Sequence, residues 1–234
     1  MNIQGFAIDL DGTLTNELGL LNLDATLTLR YLEKMGYNVL LVSGRSVWEI
    51  FHTATLIGTT KVVVSENGGV IATSPTDLIV LGNKNDSLLA YDFLVRVIDD
   101  VKLKSVVPRL TEVILERTFE LDYANKLLED EGIQVCINDS KFSYHLTNKG
   151  INKATGLIKA SEYLGIDLSN VVAIGDSKTD IPMFETCGYS IVIGDSSEEI
   201  KAKASKSISG NGDDDLMDAI QHVAEKFMKI SLNG

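Results

Sequence analysis

The sequence predicts an α/β fold: a parallel sheet covered by helices on both faces and interrupted by a smaller α+β insertion. Three observations carry this. Short apolar runs of strand length alternate with segments whose apolar residues recur at helical spacing. The alternation changes near residue 82 and resumes near residue 151. The apolar runs end in Asp, Ser or Gly, residues suited to the turn that follows a buried strand. Strands alternating with helices argue for parallel pairing, with helices screening both faces.

Taken in order, Ile3 to Ile8 is a short apolar run ending in Asp-Leu-Asp-Gly-Thr, the pattern of a buried strand reaching a turn. From Leu23, the residues Leu27, Leu32 and Met35 recur near helical spacing, with Asn22 or Asp24 as the cap and Gly36 as the C-terminal glycine. Val39 to Val42 is the next strand and ends in Ser43-Gly44. Val47, Ile50, Phe51 and Ala54 then mark a helix leading to a third strand, Lys61 to Val64, which completes a βαβαβ opening.

The same grammar returns late in the chain. A helix is expected from about Asn152 to Leu164, a strand from Val171 to Ile174, a helix near Ile181 to Glu185 and a strand from Ser190 to Ile193. Between the halves the pattern differs: a helix from Asp86 to Val101, a strand-like Glu112 to Thr118, a helix from about Leu121 to Glu131, and the runs Ile133 to Ile137 and Phe142 to Thr147. Residues 82–150 therefore read as an α+β insertion into a core of 1–81 and 151–234. Gly82-Asn83 and Asn148-Lys149-Gly150 are the expected hinges.

Composition narrows the function. With 234 residues, one to two domains are expected, and 44% apolar with 23% charged residues is ordinary for a globular chain. A formal charge of −12 is the wrong sign for a surface that binds nucleic acid or an anionic membrane. No apolar run approaches a bilayer span, and Asp9 and Asp11 interrupt the first one, so neither a membrane helix nor a secretory signal is expected. Cys136 and Cys187 are too few for a disulfide framework and read as small buried residues of a cytoplasmic protein.

In an open parallel sheet, ligands bind beyond the carboxyl ends of the strands, where strand order reverses. Those ends deliver Asp9, Asp11, Gly12 and Thr13; Ser43 and Gly44; and Asp176, Ser177 and Asp180, with Lys153 in the first turn of the helix after the insertion. Asp176 alone could be a helix cap. Asp9 is harder to dismiss, because two carboxylates crowded at one strand end repel unless a cation or proton intervenes. A lysine at a helix N-terminus opposes the macrodipole by about 0.3–1 kcal/mol, which an anion in front of it would explain. The set suggests a site for a divalent cation and a phosphoryl group: magnesium shares carboxylates with phosphate oxygens, and an aspartate can attack phosphorus.

Asp9-Leu-Asp11-Gly-Thr-Leu-Thr15, Ser43-Gly44-Arg45, Lys153 and Gly175-Asp176-Ser-Lys-Thr-Asp180 resemble, in order, the four motifs of the haloacid dehalogenase superfamily. The insertion, with Ser65-Glu66-Asn67-Gly68-Gly69, looks like the α+β cap of its Cof-like branch. The short cap and Ser143-Tyr-His-Leu-Thr-Asn148 resemble the archaeal-type phosphoglycolate phosphatase group. Sucrose-phosphate phosphatase and phosphomannomutase are more distant relatives.

The resemblance implies a Rossmann-like parallel-sheet core with an inserted cap, and a Mg²⁺-dependent phosphatase acting on a small phosphorylated metabolite, 2-phosphoglycolate for choice. The alternatives are a sugar-phosphate phosphatase or phosphomutase on the same core and, from a different class, a receiver-type signalling module. Asp9 would be the nucleophile and Asp11 the acid and then the base. Mg²⁺ would sit between the carboxylates of Asp9 and Asp176 and the backbone carbonyl of Asp11, with Asp180 supporting the shell. Ser43 and the Gly44 amide would bind the phosphoryl group, and Lys153 would balance its charge, with Lys149 as a competitor.

Thr179 stands where many Cof-like members carry Asn. Arg109, Glu112 and His145 resemble cap positions of the phosphoglycolate group; Arg109 could grip a small carboxylate or be a solvated surface charge. Tyr91, Phe93 and Trp48 read as core or domain-interface residues. The second Gly-Asp-Ser, Gly194 to Ser196, reads as the cap of a helix beginning near Ser197. Homo-oligomerisation stays open.

Overall fold

The computed structural model describes residues 1–16, 18–210 and 214–228. The chain opens with β1 (Gly5–Asp9), α1 (Leu23–Lys34), β2 (Asn38–Val42), α2 (Val47–Ile57) and β3 (Val63–Ser65). Asn22 rather than Asp24 caps α1, accepting from the Ala25 amide at 2.9 Å. Ser46 and Glu49 form a reciprocal capping box at the start of α2.

A hairpin follows, β4 (Val70–Ala72) and β5 (Leu78–Val80), where the sequence predicts no strands, because three-residue strands are too short to show a period. After the insertion come α5 (Lys153–Leu164), β9 (Val171–Gly175), α6 (Ile181–Thr186), β10 (Tyr189–Ile193), α7 (Glu198–Lys201), β11 (Lys206–Ile208) and α8 (Asp215–Val223). The inserted elements are α3 (Lys84–Val97), β6 (Val113–Leu115), α4 (Leu121–Asp130), β7 (Val135–Asp139) and β8 (Tyr144–Asn148).

Eight strands form the larger sheet in the order β11-β10-β9-β1-β2-β3-β4-β5, and three form the smaller, β6-β8-β7. Strands β11 to β3 are parallel, while β4 and β5 extend the edge antiparallel. Strand order reverses at β1, which pairs with β2 on one side and β9 on the other. Asp9 lies opposite Val42 in that register, and Ile8 opposite Ile174, so the loops after β1, β2 and β9 share one rim.

Successive side chains of each central strand point to opposite faces, and both faces are buried. Phe6, Ile8, Val39 and Leu41 pack with Leu29, Leu32 and Ile50 on one side. Ala7, Leu40, Val42 and Ala173 pack with Leu157 and Ala160 on the other. A separate cluster, with Leu94, Leu115, Leu128 and Leu146, sits under the smaller sheet. The two chain crossings between the sheets touch: the Asn83 amide donates to Asn148 Oδ1 at 2.7 Å.

Several expected details differ. Helix α3 stops at Val97, because Ile98 is extended at φ −127° and ψ 131°. Ile98 and Val101 still pack on the small core, which is why the apolar pattern runs past the helix. Only Val113–Leu115 of the Glu112 to Thr118 run pairs as a strand. Trp48 is exposed rather than in a core, since it sits about 100° around α2 from Val47, whose face is buried. Cys136 and Cys187 are half-buried, not buried. Among the described residues, no helix is long and apolar enough to cross a membrane.

Candidate active site

Asp9 ends β1 and is buried. Asn152 caps α5 by accepting from the Ala154 and Thr155 amides at 2.9 and 3.1 Å, which fixes Lys153 as the first helical residue. The Lys153 ammonium donates to Asp9 Oδ1 at 2.6 Å and to Asp180 Oδ1 at 2.5 Å. Lys149 is exposed and outside this cluster, so Lys153 is the lysine beside Asp9. The other Asp180 oxygen accepts from the Asp176 and Ser177 amides at 3.1 and 2.9 Å and from Ser177 Oγ at 2.9 Å. Asp180 thus holds Lys153 with one oxygen and shapes the loop after β9 with the other.

One carboxylate oxygen from each of Asp9, Asp176 and Asp180 lies within 4.8 Å of the other two. Lys153 between Asp9 and Asp180, and Lys141 on Asp176 Oδ2 at 3.0 Å, leave these three carboxylates one positive charge short. Burial, with Asp180 and Asp176 nearby, raises the Asp9 carboxyl well above its usual 3.8, against the opposing pull of Lys153. Burial and Asp180 raise Asp176 as well. Burial alone would lower Lys153, but Asp180 and Asp9 more than offset it and hold the ammonium charged. Asp176 Oδ1 is buried without a partner.

These features fit a divalent cation between Asp9 and Asp176: an orphaned carboxylate oxygen in a site with excess negative charge. Gly12 permits the approach. Its φ is +85°, and a Cβ there would lie 2.7 Å from Asp176 Oδ2.

Asp11 stands apart from the carboxylate cluster. Arg45 Nε donates to both its oxygens at 3.0 Å, and Nη2 approaches Oδ1 at 2.5 Å. Ser43 is buried at the end of β2, its Oγ accepting from the Arg45 amide at 3.1 Å. Asp9, Asp11, Ser43, Gly44, Lys153 and Asp176 all line one cavity of about 420 Å³. Thr179 lines it too, and its hydroxyl lies 2.8 Å from Ser177 Oγ.

The insertion supplies the opposite wall. Arg109 Nη1 donates to the Gly44 carbonyl at 2.6 Å, and its side chain is only 8% exposed, which overturns the solvated-surface alternative. Glu112 is buried; Asn67 Nδ2 donates to its Oε1 at 2.8 Å, and His145 Nδ1 lies 2.9 Å from its Oε2. Burial pushes the Glu112 carboxyl up, but His145, the Asn67 hydrogen bond and Arg109 more than offset this and hold it below its usual 4.5. Glu66 accepts from the Leu110 and Thr111 amides and from Thr111 Oγ1. Glu66 and Asn67 adopt left-handed φ values of 49° and 52°, which turns both side chains toward the insertion.

Three contacts were not legible in the sequence: Arg45 on Asp11, Lys141 on Asp176, and Ser196 on the same loop. Ser196 does not cap a helix. Its Oγ donates to the Asp176 carbonyl at 2.6 Å, while Ser197, at the N-cap of α7, makes no side-chain capping bond.

Comparisons with known proteins give the family. The family described as haloacid dehalogenase-like hydrolase matches residues 6–106 and 94–220. A phosphoglycolate phosphatase of Nitrosopumilus maritimus is 40% identical over 231 residues, covering 98% of this chain and 100% of its own. Another phosphoglycolate phosphatase, from Methanococcoides burtonii, is 34% identical over 206 residues, covering 86% and 88%. Among solved structures, a Thermoplasma acidophilum protein superposes with a TM-score of 0.83 at 23% identity, covering 95% of this chain and 98% of its own. A haloacid dehalogenase-like hydrolase from Bacteroides thetaiotaomicron gives 0.75 at 19%, covering 95% and 100%. These two likenesses speak for the fold, and the sequence matches for the lineage: the chain belongs to the haloacid dehalogenase-like hydrolases.

Proposed function

We propose that this phosphatase hydrolyses a small phosphate monoester, 2-phosphoglycolate, in a Mg²⁺-dependent reaction that passes through an aspartyl phosphate on Asp9. The observation that carries the reading is the Asp9–Lys153 contact at 2.6 Å inside a buried carboxylate cluster that opens into the cavity. The names of the archaeal relatives support the choice of substrate.

Asp9 attacks phosphorus through a carboxylate oxygen; a new P–O bond forms and the ester P–O bond breaks. Asp11 gives a proton to the leaving alkoxide, which requires the Arg45 fork on its carboxylate to open. Asp11 then takes a proton from water, which attacks the phosphorus, releases inorganic phosphate and restores Asp9. Ser43 and the Gly44 amide hold the phosphoryl oxygens, and Lys153 offsets the charge that collects beside Asp9. The carboxylates of Asp9 and Asp176 and the Asp11 carbonyl, supported by Asp180, would hold Mg²⁺, which would supply charge neutralisation at the phosphoryl oxygens.

In this reading residues 82–150 act as a cap over a core of 1–81 and 151–234, and Arg109 faces the substrate from the cap. The ligand is then a small cytoplasmic metabolite, with no nucleic acid or membrane involved. A panel of phosphate esters titrated with Mg²⁺ tests the proposal. The expected result is steady phosphate release, highest kcat/KM on 2-phosphoglycolate, abolished by chelation and restored by Mg²⁺. A preference for sugar phosphates would replace the substrate, and a single burst without turnover would favour the signalling-module reading.

A further inference from the structure

Lys141 sits at the tip of the β7–β8 hairpin, on the wall that the insertion contributes to the cavity. Its backbone is left-handed at φ +69°, a conformation a lysine adopts only when its surroundings impose it. Those surroundings are plain. The Lys141 amide donates to Asp139 Oδ1 at 2.8 Å, Arg117 Nη1 donates to the Lys141 carbonyl at 2.8 Å, and the Lys104 ammonium donates to the Phe142 carbonyl. The hairpin is braced from below so that one ammonium projects across the cleft to Asp176 Oδ2, 3.0 Å away.

The other cations lining the cavity are committed. Lys153 is buried between Asp9 and Asp180, Arg45 is forked on Asp11, Arg109 is bonded to the Gly44 carbonyl, and Lys104 is bonded to the Phe142 carbonyl. Lys141 differs in two ways. It is 62% exposed, so little holds it, and its partner is the carboxylate that a divalent cation would claim. A monovalent ammonium in a solvated ion pair loses that competition. Once displaced, the Lys141 ammonium is a free cation at the cavity rim, and among the described residues no second acidic side chain is paired with that ammonium.

We propose that Lys141 is a specificity-determining residue that leaves Asp176 when the cation binds and pairs instead with a second anionic group of the substrate, the carboxylate of a phosphorylated acid. The proposal rests on the phosphatase reading and adds to it a named residue from the insertion and a coupling between cation binding and substrate choice.

Two measurements on Lys141→Gln, with Lys141→Arg as the charge-retaining control, test it. Calorimetric titration with Mg²⁺ alone, which needs no turnover, should show about two- to five-fold tighter binding in Lys141→Gln, the scale of an exposed ion pair removed from competition. The ratio of kcat/KM on 2-phosphoglycolate to that on p-nitrophenyl phosphate, which carries no second anion, should fall about ten-fold or more in Lys141→Gln and recover in Lys141→Arg. Unchanged Mg²⁺ affinity, or an unchanged ratio, overturns the proposal. Absence of turnover on both esters by the unaltered protein would instead overturn the phosphatase reading, while the Mg²⁺ titration would still decide whether Lys141 competes for Asp176.

Discussion

Lys153 Nζ lies 2.6 Å from Asp9 Oδ1, across 144 residues of sequence, and both side chains are buried. Among the described residues, the lysine is the one buried cation set among the carboxylates of Asp9, Asp176 and Asp180, so it serves the fold and the reaction at once.

Replacing it separates the two. Lys153→Met should lower kcat by about three orders of magnitude, because the charge beside the transferring phosphoryl group is lost. It should also destabilise the metal-free protein by about 3–5 kcal/mol, because Asp9 and Asp180 remain buried without their counterion. Adding Asp9→Asn should recover part of that stability without recovering activity. Urea unfolding of the single and double variants, beside steady-state assays, checks both halves.

Glu112 gives a pH dependence with a definite sign. Its carboxyl sits below its usual 4.5 in the folded protein, so its contribution to stability is fully present above that value and is lost as pH falls through the depressed folded value. Glu112→Gln removes this term. The unaltered protein should therefore lose stability more steeply than Glu112→Gln on acidification from about pH 5 to pH 3, as read by urea midpoints at a series of pH values.

Ser196→Ala should weaken Mg²⁺ binding several-fold with little change in melting temperature. The hydroxyl fixes the Asp176 carbonyl at 2.6 Å, and freeing that carbonyl loosens a ligand loop rather than the core. Calorimetric Mg²⁺ titration and thermal melts of the metal-free variant distinguish this from a general loss of stability.

The central strands were legible because β1, β2 and β9 are buried on both faces and so read as continuous apolar runs cut off by polar residues. The same runs delivered Asp9, Ser43 and Asp176 to one rim, since parallel register leaves their carboxyl ends adjacent. Lys153 was legible as a lysine placed against a helix dipole. The β4–β5 hairpin was not, because its strands are three residues long.

Lys141 and Ser196 were hidden for another reason. Each reaches Asp176 from 35 and 20 residues away, through a hairpin tip and a loop that carry no periodic signal. The end of α3 misled because Ile98 and Val101, partly buried, still pack on the small core after the backbone has left the helix.

Asp9→Asn, assayed for phosphate release from 2-phosphoglycolate with Mg²⁺ present, tests the central claim most directly. The variant should keep the fold, by circular dichroism and thermal melting, and show no turnover, since an amide oxygen cannot form the acyl phosphate. A folded Asp9→Asn variant that still releases phosphate at a rate near that of the unaltered protein would contradict the account.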